Sequence, residues 1–116
     1  PPARIVAIAS ELAHLGRPDY CAYCASKGAV EALVRALARE LAPRVLVNAV
    51  APGPTDTDML KAERQYATLA ATAEGIPLGR LGRPEDVAGV VGFLMTPAAA
   101  FMTGSVLDAN GGAAMY

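Results

Sequence analysis

Ser10-Glu11-Leu12-Ala13-His14-Leu15-Gly16-Arg17-Pro18-Asp19-Tyr20-Cys21-Ala22-Tyr23-Cys24-Ala25-Ser26-Lys27 joins an apolar run to a long helical pattern. On its N-terminal side, Arg4-Ile5-Val6-Ala7-Ile8-Ala9 has the continuous apolar character of a strand buried on both faces of a parallel sheet. Glu11 to Pro18 reads as a loop, with Asp19 a candidate N-cap. A helix is expected from Tyr20 to Leu41, stopped by Pro43. Val30, Leu33, Val34, Leu37 and Leu41 form one apolar stripe at helical period, and Tyr23 and Lys27 lie one turn apart on its N-terminal extension. A second stripe, Ala25, Ala29, Ala32 and Ala36, is small and apolar. Glu31 and Arg35 form an i,i+4 pair on the remaining polar face.

Further along, Arg44 to Val50 reads as a second buried strand. It runs into Ala51-Pro52-Gly53-Pro54, a rigid turn at the carboxyl edge of the sheet, where open α/β folds bind ligands. Asp56 to Glu74 is Ala-rich and helical in propensity, with Met59, Leu60, Tyr66 and Leu69 as its apolar positions. Gly75, Gly79 and Gly82 have no strand before them and a proline among them, so they read as a loop rather than a phosphate cradle. Pro84 suits the first position of a helix whose positive end Glu85 and Asp86 favour. Val87, Val90, Val91, Leu94 and Met95 give that helix a buried face, and Pro97 closes it. Phe101 to Gly104 reads as a connector, Ser105 to Ala109 as a last strand, and Asn110-Gly111-Gly112 as a turn before a native C-terminus. Strand–helix–strand–helix–helix–strand is the order of the second half of a doubly wound α/β sheet, with three parallel strands and helices on both faces. The expected unit is residues 1–116, with one apolar sheet edge left unpaired.

The 116 residues, 53% of them hydrophobic, suit one small domain with a buried core. A net charge of −1, with pI about 5.8, gives no electrostatic case for nucleic acid or an anionic membrane surface. No apolar run approaches the roughly 20 residues of a membrane-spanning helix, and no signal peptide is visible. Cys21 and Cys24 form C-x-x-C around Tyr23. A redox reading of that motif requires a thioredoxin-like context and a structural zinc requires four ligands. They read instead as two reduced thiols of a cytosolic protein, with Cys24 packed near the helix start. His14 reads as a surface residue of a loop near the cleft, and no metal site is expected.

The chemistry centres on Ser10, Tyr23 and Lys27. A free phenol ionises near pH ~10, so a tyrosine exchanges protons at neutral pH only when its anion is stabilised. An ammonium one turn away supplies that stabilisation. A hydroxyl at the end of the strand, Ser10, donates a hydrogen bond to a substrate oxygen and steadies developing negative charge. No metal or covalent intermediate is required. Proton transfer coupled to hydride transfer at a carbonyl fits the set.

These residues, in order with the later motifs, resemble the short-chain dehydrogenase/reductase family. Its Ser and Tyr-x-x-x-Lys fall on Ser10, Tyr23 and Lys27. Asn48-Ala49-Val50-Ala51-Pro52-Gly53-Pro54-Thr55-Asp56-Thr57 is similar to its N-x-(V/I)-x-P-G-x-x-x-T segment. Gly79-Arg80-Leu81-Gly82-Arg83-Pro84-Glu85-Asp86-Val87-Ala88 matches its last long helix start, and Thr103-Gly104 with Asn110-Gly111-Gly112 its closing turn. The resemblance implies an NAD- or NADP-dependent oxidoreductase interconverting a carbonyl and a secondary alcohol, closest in look to the 3-oxoacyl-carrier-protein reductases. It implies proton transfer by Tyr23, orientation by Ser10, and nicotinamide-ribose binding by Tyr23 and Lys27. Pro52, Gly53, Thr55 and Thr57 would hold the nicotinamide end, while Asn48 is structural. Residues 56–74 would cap the substrate pocket as its mobile part. It further implies a cytoplasmic homodimer or homotetramer, built through the Tyr20–Leu41 helix with its small-residue stripe and through the C-terminal helix and strand. The family's Gly-rich cofactor turn, its residue selecting NAD or NADP, and its catalytic Asn have no counterpart in these residues, so the chain looks like a C-terminal half. The alternative expectation is a catalytically inert fragment, kept as a packing or assembly domain.

Overall fold

The computed structural model describes residues 1–63 and 69–116. Its elements are β1 (Ala3–Ile8), α1 (Leu12–Leu15), α2 (Cys21–Leu41), β2 (Val45–Pro52), α3 (Asp58–Glu63), α4 (Leu69–Glu74), α5 (Pro84–Leu94), a 3₁₀ turn (Pro97–Ala99) and β3 (Val106–Ala109). The three strands form one parallel sheet in the order β1-β2-β3, with Ala3 opposite Val45 and Ala49 opposite Val106. Side chains alternate across a strand, so β2 feeds two cores. Val47, Ala49 and Ala51 pack with Val34 and Ala38 of α2 on one face. Val50 packs with Leu94 of α5 and Ala99 on the other. The expected α/β fold with helices on both faces is thus present.

Parallel neighbours fill the centre of the sheet but not its margin. β2 is buried along most of its length, whereas Ile5 and Ile8 of β1 stay 44% and 43% exposed. β1 lies at the margin of this three-stranded sheet, the apolar edge expected to be left unpaired, so Ile5 and Ile8 are not covered here; both flanking helices centre on β2. Buried Asn48 is structural. It donates to the Met102 carbonyl at 3.0 Å and accepts from the Ser105 N–H at 3.0 Å, tying β2 to the connector before β3. Thr103 adds to that tie by accepting the Val47 N–H at 3.0 Å.

Other local expectations change. The loop from Glu11 to Pro18 contains the single helical turn α1. Asp19 does not cap α2. Its φ of 67° places it in the left-handed region, and Tyr20 takes the N-cap position without a side-chain bond. Within α2, Val30, Val34, Leu37 and Leu41 face the core with Ala38, but Leu33 is 56% exposed. Ala25, Ala29, Ala32 and Ala36 lie exposed. Glu31 is buried rather than on a polar face, its Oε1 3.3 Å from Nδ1 of His14 and its Oε2 4.0 Å from Arg35. In α5, Leu94 is buried and Met95, expected on the same face, caps the helix and is exposed. Pro84 begins that helix, and Asp86 accepts the Arg83 N–H at 2.8 Å. Tyr66 lies outside the described residues.

Candidate active site

The sheet's carboxyl edge gathers the sequence-marked residues because three chain segments leave it together. At the end of β1, the Ala9 N–H donates to the Val50 carbonyl at 2.8 Å, so Ser10 starts at a fixed point. Ser10 is buried, and its Oγ accepts the Leu12 N–H at 3.2 Å, which opens α1 and leaves the hydroxyl proton for a ligand oxygen. At the start of α2, the Lys27 Nζ donates to the Ile8 carbonyl at 3.1 Å and stands 5.9 Å from the centre of the Tyr23 ring. The lysine therefore bridges the helix bearing the tyrosine and the end of the strand that leads to the serine. Ser26 donates to the Tyr23 carbonyl at 2.7 Å and tightens the same turn.

β2 supplies the opposite wall. The Gly53 N–H donates to the Ala109 carbonyl at 3.0 Å and the Glu11 N–H to the Pro52 carbonyl at 3.1 Å, so the turn is stitched to both neighbours. A Cβ on Gly53 would lie 2.6 Å from Cβ and 2.8 Å from Cα of Asn110, so only glycine fits this approach. Thr55 donates through Oγ1 to the Gly53 carbonyl at 2.9 Å, and its backbone bridges Gly82. The glycine-spaced segment is thus a brace for this turn, in agreement with the loop reading. Thr57 Oγ1 accepts the Leu60 N–H at 3.2 Å and caps α3, whose Met59 and Leu60 roof the space.

One cavity of about 450 Å³ is lined by Ser10, Tyr23, Lys27, Pro52, Gly53, Thr55 and Thr57, together with apolar Ile8, Leu12, Met59, Leu60 and Val87. Glu11 and Arg17 also line it, and sequence reasoning singled out neither. The signal for Glu11 was its place immediately after Ser10 at a strand end; its burial appears only in three dimensions. Arg17 rests on the Tyr20 ring at 4.4 Å. A second cavity of about 460 Å³ lies between Arg80, Asp108 and the Asn110–Gly112 turn, and neither Ser10, Tyr23 nor Lys27 reaches it.

Two titrating groups near that second region are strongly perturbed. Hydrogen bonds from the Arg80 side chain, at 2.7 Å, and the Arg83 backbone pull Asp86 down to about 2. Burial first, then its 2.7 Å hydrogen bond to Asp108, pushes the Tyr116 phenol upward. The Tyr116 ring also stacks on His14 at 4.3 Å, so the exposed His14 is held by this ring and by Glu31 rather than facing the cavity. Cys21 and Cys24 are free thiols, the first exposed and the second half-buried. Among the described residues, no three His, Cys, Asp or Glu side chains cluster to hold a metal ion, and no helix is long and apolar enough to cross a membrane.

Comparison with known proteins bears on the family and the fold. A family model described as enoyl-(acyl carrier protein) reductase matches residues 1–114. The chain is 46% identical over 110 residues to the 3-oxoacyl-[acyl-carrier-protein] reductase FabG of Pseudomonas aeruginosa, covering 94% of this chain and 44% of that protein. It is 48% identical over 101 residues to a 3alpha-hydroxysteroid dehydrogenase of Mediterraneibacter gnavus, covering 84% of this chain and 39% of that one. A crystal structure of a short-chain dehydrogenase/reductase, glucose/ribitol dehydrogenase, from Brucella melitensis superposes with a TM-score of 0.91 at 42% identity, covering 97% of this chain and 46% of that one. The chain thus spans less than half the length of these relatives. With its three-stranded parallel sheet superposable on a solved relative and its sequence matched nearly end to end, the chain belongs to the short-chain dehydrogenase/reductase family, in the likeness of the 3-oxoacyl-carrier-protein reductases.

Proposed function

We propose that these residues form the proton-transfer half of an NAD(P)(H)-dependent oxidoreductase that interconverts a carbonyl and a secondary alcohol. The observation that carries this reading is the convergence of Ser10, Tyr23, Lys27 and the Pro52–Thr57 turn on one cavity. The donor set suits the nicotinamide–ribose end of the cofactor: an ammonium beside a phenol, two threonine hydroxyls and the backbone of a Pro-Gly-Pro turn. When bound, the nicotinamide supplies or takes the hydride.

The chain's own residues handle the proton and the oxygen. In the reducing direction the Tyr23 hydroxyl gives its proton to the substrate oxygen as negative charge develops there. Ser10 donates a hydrogen bond to the same oxygen and fixes its distance from the tyrosine. The Lys27 ammonium steadies the phenolate left behind, and its remaining N–H groups would hold ribose hydroxyls. Leu12, Met59 and Leu60 exclude water over the reacting carbon. Pairing of subunits through the exposed face of α2 and through α5 and β3, as homodimer or homotetramer, belongs to the same reading.

The test has two parts. Titration of NADH and NADPH against the 116-residue chain gives saturable binding at micromolar levels if the nicotinamide half-site suffices. No binding up to millimolar levels supports the packing-domain reading of the chain alone. In a polypeptide that turns over, Tyr23→Phe lowers kcat by about 10²- to 10⁴-fold, the usual scale of a positioned general acid. Turnover near wild type rejects Tyr23 as the proton donor.

A further inference from the structure

We propose that Cys21 and Cys24 form a reversible disulfide across the first turn of α2, and that closing it displaces Tyr23. The motif alone did not support this, because a C-x-x-C pair needs a particular setting to act as a redox couple. The fold supplies that setting. β1 and β2 are adjacent parallel strands and α2 is the long helix that, after the single turn α1, connects them, so the pair sits at the start of the crossover helix in a β-α-β unit. Cys21 is the first helical residue and Cys24 lies one turn on, on the same side.

Access and slack both fit. Cys21 is exposed and takes the role of attacking thiol, while half-buried Cys24 resolves the intermediate. Side chains three apart on a helix have Cβ atoms about 5–6 Å apart, whereas a disulfide holds them at about 3.5–4.5 Å, so the turn tightens by roughly 1–2 Å. This turn can yield. It has no side-chain N-cap, and it follows Asp19 in a left-handed conformation with φ of 67°. Tyr23 lies between the two cysteines in sequence, within the same helical turn, and its ring contacts Tyr20 edge-on with centres 6.3 Å apart. Tightening therefore shifts the phenol against Lys27, which is pinned separately to Ile8.

The reaction is an exchange with a small-molecule disulfide. The Cys21 sulfur, its proton lost, attacks one sulfur of the reagent and releases one thiol. The Cys24 sulfur then attacks Cys21 and releases the second. Two protein thiols are oxidised, one reagent disulfide is reduced, and two protons pass to the departing thiols. The consequence for catalysis rests on the role proposed for Tyr23; the bond itself does not.

Oxidised glutathione on the 116-residue chain is the probe. The expected product is a monomer whose intact mass is lower by about 2 Da, with no thiol left to alkylate, restored by dithiothreitol. A stable glutathione adduct, a disulfide-linked dimer or no reaction overturns the proposal. In NMR spectra of the labelled chain, oxidation shifts the Tyr23 ring signals and weakens the Tyr23–Lys27 contacts. Cys24→Ser and, separately, Cys21→Ser abolish these changes. A disulfide that forms with the Tyr23 signals unmoved overturns the displacement, independently of whether any carbonyl is ever reduced.

Discussion

Replacing Gly53 by alanine tests how the cleft is held open. The added methyl would sit 2.6 Å from Cβ and 2.8 Å from Cα of Asn110, with Glu11 Oε2 at 3.1 Å. Carbon pairs prefer about 3.5–4.0 Å, so the two segments must part by roughly 1 Å. Rotating a side chain gives no relief, because the obstructing atoms belong to or adjoin the backbone of Asn110. That residue is itself fixed, donating to the Ala114 carbonyl at 3.0 Å and accepting the Gly112 N–H at 2.9 Å. Parting also stretches the 3.0 Å bond from the Gly53 N–H to the Ala109 carbonyl. Overpacking costs about 1–3 kcal/mol and a weakened hydrogen bond up to about 1 more, so a loss of roughly 1–4 kcal/mol is expected. Gly28 is the control, because a Cβ there meets nothing within 4 Å. In the interior of α2, Gly28→Ala stabilises by about 0.5–1 kcal/mol. Urea unfolding followed by circular dichroism measures both variants. A Gly53→Ala chain within about 0.5 kcal/mol of the parent would refute the reasoning, since that is the scale of a neutral surface change.

Asn48→Ala leaves the Met102 carbonyl and the Ser105 N–H without their partner, and unfolding experiments then show a loss of about 2–4 kcal/mol; an unchanged midpoint would mean water replaces the side chain. Asp86 is held at about 2 against an ordinary 3.8, so the stability it contributes is present above about pH 4 and lost as pH falls towards 2. Asp86→Asn flattens that stretch of the stability–pH curve, and equal slopes in the two proteins would contradict the assignment. Ala32→Arg places a long cation on the exposed small face of α2; sedimentation velocity then reports a smaller species than the parent, and an unaltered distribution removes this face as a subunit contact.

The element order, the parallel sheet and both helix layers were legible because strand-length apolar runs, proline stops and helical periodicity agree with one another. The gathering of the candidate residues around one cavity was legible for a different reason. Ser10, Tyr23, Lys27 and the Pro52–Thr57 turn all sit where a strand ends or a helix begins, and a parallel sheet brings such ends to one edge. What escaped depends on facts that a linear pattern does not carry. Leu33 and Glu31 exchange their expected environments because both border the core stripe, and there His14 from α1 supplies the partner that lets a carboxylate turn inward. Asp19 has the chemistry of a cap, but the tight path from Gly16, whose φ is 66°, turns it away from the helix.

α2 also works as a lever. Its middle is clamped at Val34, which is only 1% exposed, while Tyr23 rides near its N-terminal end. At a rise of 1.5 Å per residue the two are about 16 Å apart along the axis, so a tilt of about 2° at the clamp swings the tyrosine by about 0.5 Å. Misplacement of about 1 Å can cost a reaction on the order of a hundredfold, so a swing half that size is worth roughly tenfold. If the proposed proton transfer holds, substitutions deep in the α2–β2 core, remote from any ligand, register in a polypeptide that turns over as changes in rate before they register as loss of fold. Turnover would then be retuned from a distance, one methylene at a time, with the cleft residues untouched.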